Sequence, residues 1–105
     1  MAGFSFDERA RLSIELALAA PDQAESGRRR LNAAASAAGL SGAEIDLARR
    51  GASFDYQISK AIDLALANED EDNKLLRTAA VRAGIDEAAL LRIEAFARDT
   101  KVVAR

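Results

Sequence analysis

A helical pattern that occurs twice constrains the fold of this chain more than any other feature. Three short blocks recur in the same order: Phe6–Asp7 and Phe54–Asp55, Ile14–Ala19 and Ile62–Ala67, and Ala38–Leu40 and Ala83–Ile85. The first two pairs are 48 positions apart (62 − 14), and the third is 45 apart (83 − 38). The shift falls in a connecting segment, where insertions cost little. The order predicts two related halves, about 6–51 and 54–99, in a single domain spanning 1–105.

Each half has the sequence signals of three helices, and no alternating apolar pattern predicts a strand. Ser5 and Glu8 have the spacing of a capping box for a first helix over about 6–20, which Pro21 would stop. Ser41 and Glu44 have the same spacing before the third helix. The chain is therefore predicted to be all-α, with about six helices in two tandem units.

Signals in the second half follow the same plan. Asp55 or Ser53 is predicted to cap a helix running to about Asn68, and Asp86 to cap the last helix. Gly39, Gly51 and Gly84 follow predicted helices, at positions where glycine tolerates the left-handed conformation. We expect helical periodicity to direct one apolar set to the core. That set includes Ala10, Leu12, Ile14, Leu16, Ala17, Leu18, Ile58, Ile62, Ala65, Leu66, Leu91, Ile93 and Phe96.

The chain has neither cysteine nor histidine, and this removes several classes of chemistry. Thiolate nucleophiles, Ser-His-Asp triads and zinc sites of the usual kind each need one of these residues. Glu15 and Asp63 occupy matching positions inside apolar helices, and we expect them at exposed helix edges rather than in a catalytic site. The sequence therefore predicts no enzyme activity, no cofactor and no metal site.

The net charge of −2 argues against a nucleic-acid partner, which usually needs a basic surface. No apolar run is long enough for a membrane helix, so a membrane partner is not expected. The N-terminus lacks the basic and apolar regions of a signal peptide, and small secreted domains usually contain disulfides. We therefore expect a cytoplasmic protein. Many helical positions are alanine, which buries little area, so a homodimer formed along the first and fourth helices is predicted.

The order of these elements resembles the AhpD-like superfamily of alkylhydroperoxidases and carboxymuconolactone decarboxylases. The segments that carry the resemblance are Ala38–Ser41, Ala43–Ile45 and Arg49–Asp55, after a long apolar helix. The resemblance implies an all-helical, oligomeric protein. Ala24, Gly27 and Leu31 stand where the peroxidases of that family carry Cys, Cys and His. It therefore implies a non-catalytic relative. From the residues as a whole we expect a protein-interaction or regulatory role.

A second resemblance gives the alternative, a helix-turn-helix DNA-binding regulator. Ala35–Ile45 and Ala80–Leu90 have the apolar and glycine spacing of that motif. The positions that would contact bases hold Gly42, Ala43 and Glu44 in the first half, which offer no donors to a base. We therefore expect both motifs to serve packing.

Two charged runs are candidate binding sites. Five arginines, Arg28, Arg29, Arg30, Arg49 and Arg50, are the only basic cluster and a candidate contact for an anion or a partner protein, although a solvated helix face is the more common role of such a run. The acidic run Glu69–Asp72 lacks the glycine and the final glutamate of a calcium loop, so we do not expect it to bind calcium. Its charge should instead favour the start of the following helix.

Overall fold

The computed structural model describes residues 4–19, 23–67 and 71–103 and contains six helices. They are α1 Glu8–Leu18, α2 Glu25–Ala37, α3 Gly42–Arg49, α4 Tyr56–Leu66, α5 Glu71–Arg82 and α6 Glu87–Val103. The described residues contain no strand, so the all-α prediction is confirmed. No helix among them is long and apolar enough to cross a membrane. Pro21, Asn68, Glu69 and Asp70, which appear in the predictions above, lie outside the described residues.

The start of the first helix differs from the prediction. Asp7 caps α1, its carboxylate accepting a hydrogen bond from the Ala10 backbone N–H at 2.9 Å, and Ser5 does not form the expected capping box. With Asp7 as the cap, Glu8 is the first helical residue rather than the third. Phe6 therefore precedes the helix, and its ring packs edge-on against Phe96 with the centroids 5.8 Å apart.

Three other helix starts agree with the prediction. Ser41 and Glu44 form both hydrogen bonds of a capping box on α3. Asp55 caps α4 by accepting from Ile58 N, and Asp86 caps α6 by accepting from Ala89 N at 2.8 Å. Each cap uses a short side chain to satisfy a backbone donor that the helix itself leaves unpaired.

The connections α2–α3 and α5–α6, which we call the first and second corners, have the same backbone geometry. Gly39 and Gly84 both have a φ of 101°. Leu40 N donates to Ala35 O in the first corner, and Ile85 N donates to Ala80 O in the second, the six-to-one hydrogen bond of a Schellman motif. The match fits the predicted relationship between the halves, although common descent stays a prediction.

The core is divided into two clusters, one for each half. The first is formed by α1, α2 and α3 and contains Leu12, Leu16, Leu31, Ala35, Leu40, Ile45 and Ala48. The second, formed by α4, α5 and α6 with Ile14 of α1, includes Ile62, Leu64, Ile85, Leu90 and Ile93. Helix α1 also contacts α4 and α6 directly. The apolar faces of α1 and α4, where we expected a dimer contact, therefore lie within the molecule.

Two residues expected in the core are exposed. Leu66 is in the last turn of α4, and Leu91 lies on α6 with 53% of its surface exposed. Leu66 follows the buried Ile62 by one turn, but it is the last residue of α4. Helical periodicity indicates which residues share a face, but the neighbouring helices decide how much of that face is covered.

Candidate functional site

The predicted basic cluster is not a single patch. Arg28, Arg29 and Arg30 are consecutive on α2, so their side chains leave the helix about 100° apart. All three are exposed, and Arg29 forms an ion pair with Glu25 one turn earlier, at 3.1 Å. Arg50 is also exposed, at the end of α3. The run in the sequence therefore spreads its charge around the helix.

Arg28 and Arg49 are the members of this cluster whose charges affect one another. Arg49 is half-buried beside α2 and donates from Nε and Nη2 to Oδ1 of Asn32, at 3.3 and 2.8 Å. Burial lowers the pKa of the Arg49 guanidinium, the positive charge of Arg28 lowers it further, and Asp46 opposes both. Arg49 and the neutral amide of Asn32 therefore join α3 to α2, with Arg28 and Asp46 close enough to affect the charge of Arg49.

The same position in the second half holds a different pair. Residues 45 positions after Asn32 and Arg49 are Arg77 on α5 and Glu94 on α6. Arg77 Nε lies 3.3 Å from Glu94 Oε2, close enough for an ion pair, although Nε is not aligned for a hydrogen bond. The α5–α6 contact therefore pairs an arginine with a carboxylate, whereas the α2–α3 contact binds an arginine to an amide.

The start of α3, which would contact DNA in a helix-turn-helix protein, forms hydrogen bonds within the protein instead. Glu44 accepts from the backbone of Ser41 and from Nη2 of Arg9, the latter at 2.9 Å. The hydrogen bond from the Ser41 backbone is the largest cause of a lowered pKa for Glu44, so this carboxylate is held in its charged form. A fixed negative charge at the start of the helix opposes approach to phosphate. Packing is the role that these contacts support.

The carboxylates singled out in the sequence lie at helix edges. Glu15 is half-buried and pairs with Arg11 at 3.2 Å, and Asp63 is half-buried and lies 3.8 Å from Lys60. Each partner is on the same helix, as expected of ordinary surface pairs. Glu71 and Asp72 of the acidic run lie in the first turn of α5. Among the described residues, no group of acidic side chains is arranged to hold a metal ion.

A set of exposed apolar side chains is the feature that the sequence analysis missed. Among the residues whose burial the structure describes, six large apolar ones are exposed, and all of them follow the third helix: Phe54, Tyr56, Leu66, Leu75, Val81 and Leu91. Their counterparts in the first half are mostly polar, since Glu8, Arg30, Ser36 and Asp46 correspond to Tyr56, Leu75, Val81 and Leu91. Comparing the two halves position by position would have indicated this difference.

Comparison with known proteins identifies no relative for the chain. No family model matches it, and no curated protein or solved structure is significantly similar to it. The resemblance to AhpD-like proteins therefore stays a prediction.

Proposed function

We propose that this chain is a non-catalytic, protein-binding helical protein whose binding surface is on its second half. The observation that carries the proposal is the distribution of the six exposed apolar side chains. Leu75 is 74% exposed, Phe54 is 71% exposed and Tyr56 is 66% exposed, whereas the first-half residues of the structure include no exposed large apolar side chain. Large apolar side chains left exposed in one half of a small protein are candidates for contact with a partner.

The aromatic residues at the start of α4 have the properties of interface residues. Tyr56 is accompanied by Lys60, whose Nζ lies 5.3 Å from the centre of the Tyr56 ring. Exposed aromatic rings bury a large area at a small entropic cost when a partner covers them, and they dominate the binding energy of many interfaces. The first half, by contrast, provides a scaffold with polar surface, and the exposed arginines Arg29, Arg30 and Arg50 are a secondary contact for an acidic partner.

The chemistry available supports a binding role rather than catalysis. The sequence has no thiol or imidazole, and the two carboxylates examined as catalytic candidates form surface ion pairs. The absence of cysteine also favours the cytoplasm as the location of the protein. A DNA-binding role is the alternative, and the engaged Glu44 at the start of α3 argues against it.

Quantitative affinity enrichment from the native cells would test this proposal. The bait would be the full chain, compared with the double variant Phe54→Ser/Leu75→Ser and with the matched control Arg30→Ser, since Arg30 corresponds to Leu75. We expect a defined set of proteins whose recovery falls at least about tenfold with the double variant and is unchanged by the control. Equal recovery by all three baits would contradict the proposal, and enrichment of DNA fragments instead would favour the alternative.

A further inference from the structure

Helix α6 has a strip of mostly exposed residues between two edges whose side chains contact other parts of the protein. On one edge, Glu94 is paired with Arg77 of α5. On the other edge, Arg92 lies 5.3 Å from the centre of the Phe6 ring, and Phe96 packs against the same ring. The α6 strip between these edges consists of Glu87, Ala88, Leu91, Ala95 and Arg98. Four of the five are exposed and Ala95 is half-buried.

The α6 strip alternates a large and a small apolar residue and has opposite charges at its ends. Ala88, Leu91 and Ala95 follow one another at three- and four-residue spacing, which places them in one row. Glu87 and Arg98 are eleven positions apart (98 − 87), close to three full helical turns, so they lie on the same edge of this row. The strip is therefore negative at its start, apolar in its middle and positive at its end.

We propose that a second copy of this chain covers the α6 strip in a two-fold, antiparallel dimer. This inference rests on the proposed function and names one partner for the second half. Two-fold rotation keeps each edge of the strip beside the same edge of its copy and reverses the direction of the helix. Glu87 of each chain then faces Arg98 of the other, while each Leu91 packs beside the small Ala95. Both ion pairs and the apolar row are satisfied by a single arrangement.

The size of the strip sets the strength of this dimer. Helix α6 has 17 residues, so its length is about 25 Å. One helix pair buries less area than a standard protein interface, and we therefore expect a dissociation constant on the order of micromolar. Parallel pairing is disfavoured because it would bring both Glu87 side chains to one end of the contact and both Arg98 side chains to the other, so that no opposite charges would meet.

Sedimentation equilibrium of the full chain with charge-exchanged variants tests the arrangement. We expect Glu87→Arg and Arg98→Glu each to weaken dimerisation by roughly tenfold, because symmetry places every substitution in the interface twice. The double variant Glu87→Arg/Arg98→Glu should recover the affinity to within about threefold, since it restores both pairs. Leu91→Asp should abolish the dimer, and Leu75→Asp, on an exposed part of α5 outside the strip, should leave it intact.

The outcomes separate this inference from the proposed function. A single-chain mass at all concentrations up to about millimolar, or a dimer that Leu91→Asp does not affect, would overturn the α6 dimer. Failure of the double variant to recover affinity would overturn the Glu87–Arg98 register, provided that circular dichroism shows each variant to be helical. Because enrichment of partners through Phe54 and Leu75 does not involve the strip, the protein-binding proposal would survive either result.

Discussion

The two corners of this protein share a backbone but are held by different side chains. In the first, Arg9 at the start of α1 donates to Glu44 of α3. In the second, the corresponding residue of α4, Gln57, donates from Nε2 to the backbone oxygen of Ala83 at 2.8 Å. Both hydrogen bonds connect the first helix of a half, α1 or α4, to the corner of the same half. The comparison shows that a shared turn geometry places few constraints on the side chains around it.

The space around the two corner glycines differs as a result. A Cβ at Gly39 would meet no atom within 4 Å, whereas a Cβ at Gly84 would lie 2.7 Å from Nε2 of Gln57. Both positions have a φ that strains any L side chain. A side chain at the second corner would therefore also have to displace the Gln57 amide, in addition to adopting a strained conformation.

The largest expected effect follows from this contrast. We expect Gly84→Ala to lower the free energy of unfolding by about 2–3 kcal/mol and Gly39→Ala by about 1–2 kcal/mol, because Gly84→Ala also displaces Gln57 from its hydrogen bond. Urea denaturation of both variants measures the difference. In the Gln57→Ala background, Gly84→Ala should cost no more than Gly39→Ala does. Equal costs in the wild-type background would show that the Gln57 contact is unimportant.

A smaller expected effect tests the contrast between Arg49, which is bound to an amide, and Arg77, which is paired with a carboxylate. Asn32→Asp gives Arg49 a carboxylate partner, as Glu94 provides for Arg77 in the second half. We expect this substitution to stabilise the protein by about 0.5–1 kcal/mol at low salt, with the gain reduced at high salt. Ser36→Asp, one turn along the same helix, is the control for added charge. A salt-independent change, or an equal gain in the control, would contradict the geometry at Arg49.

The two corners should also respond differently to acid. The pKa of Glu44 lies below its ordinary value of 4.5, chiefly because the charged form accepts the Ser41 hydrogen bond. The contribution of Glu44 to stability is therefore present above pH 4.5 and is lost as the pH falls through the lowered pKa. The corresponding position of α6 is Ala89, which cannot titrate, so the second corner has no equivalent of this acid-sensitive contact at that position. Urea midpoints measured from about pH 6 to about pH 3 should therefore converge for wild type and Glu44→Gln. A constant separation across this range would show that Glu44 does not titrate as described.

The smallest expected effect concerns the central helices. Ser13 is buried and donates from Oγ to the backbone oxygen of Arg9 at 2.8 Å, whereas Ala61 occupies the matching position of α4. Ser13→Ala loses this hydrogen bond and gains helix propensity, so we expect stability to change by less than about 0.5 kcal/mol. A loss above about 1.5 kcal/mol in thermal or urea denaturation would assign Ser13 a structural role that its contacts do not indicate.

The features predicted correctly from the sequence are those that depend on neighbouring residues. The Ser41–Glu44 capping box and the glycine-ended helices need only a few positions to specify them. The prediction of Ser5 as the cap of the first helix was wrong, because Asp7, two positions later, caps α1 instead. Burial was harder to predict, because Leu91 is apolar and correctly spaced but remains 53% exposed beside the helices that the structure describes.

The candidate site was less predictable than the fold for the same physical reason. The contact between Asn32 and Arg49 joins residues 17 positions apart on different helices, so it depends on how α2 and α3 cross. The exposed apolar set depends on the placement of all three helices of the second half. Both required tertiary structure, although the polar counterparts in the first half were visible in the sequence.

Backbone amide chemical shifts of the full chain, recorded across a concentration series, test most directly whether the second half carries the self-association surface. We predict concentration-dependent shifts at Glu87–Arg98 on α6 and none at Gly42–Arg49 on α3, with half-maximal change at a concentration on the order of micromolar. Shifts centred on α3, or spectra that stay unchanged up to about millimolar, would contradict this assignment of self-association to α6.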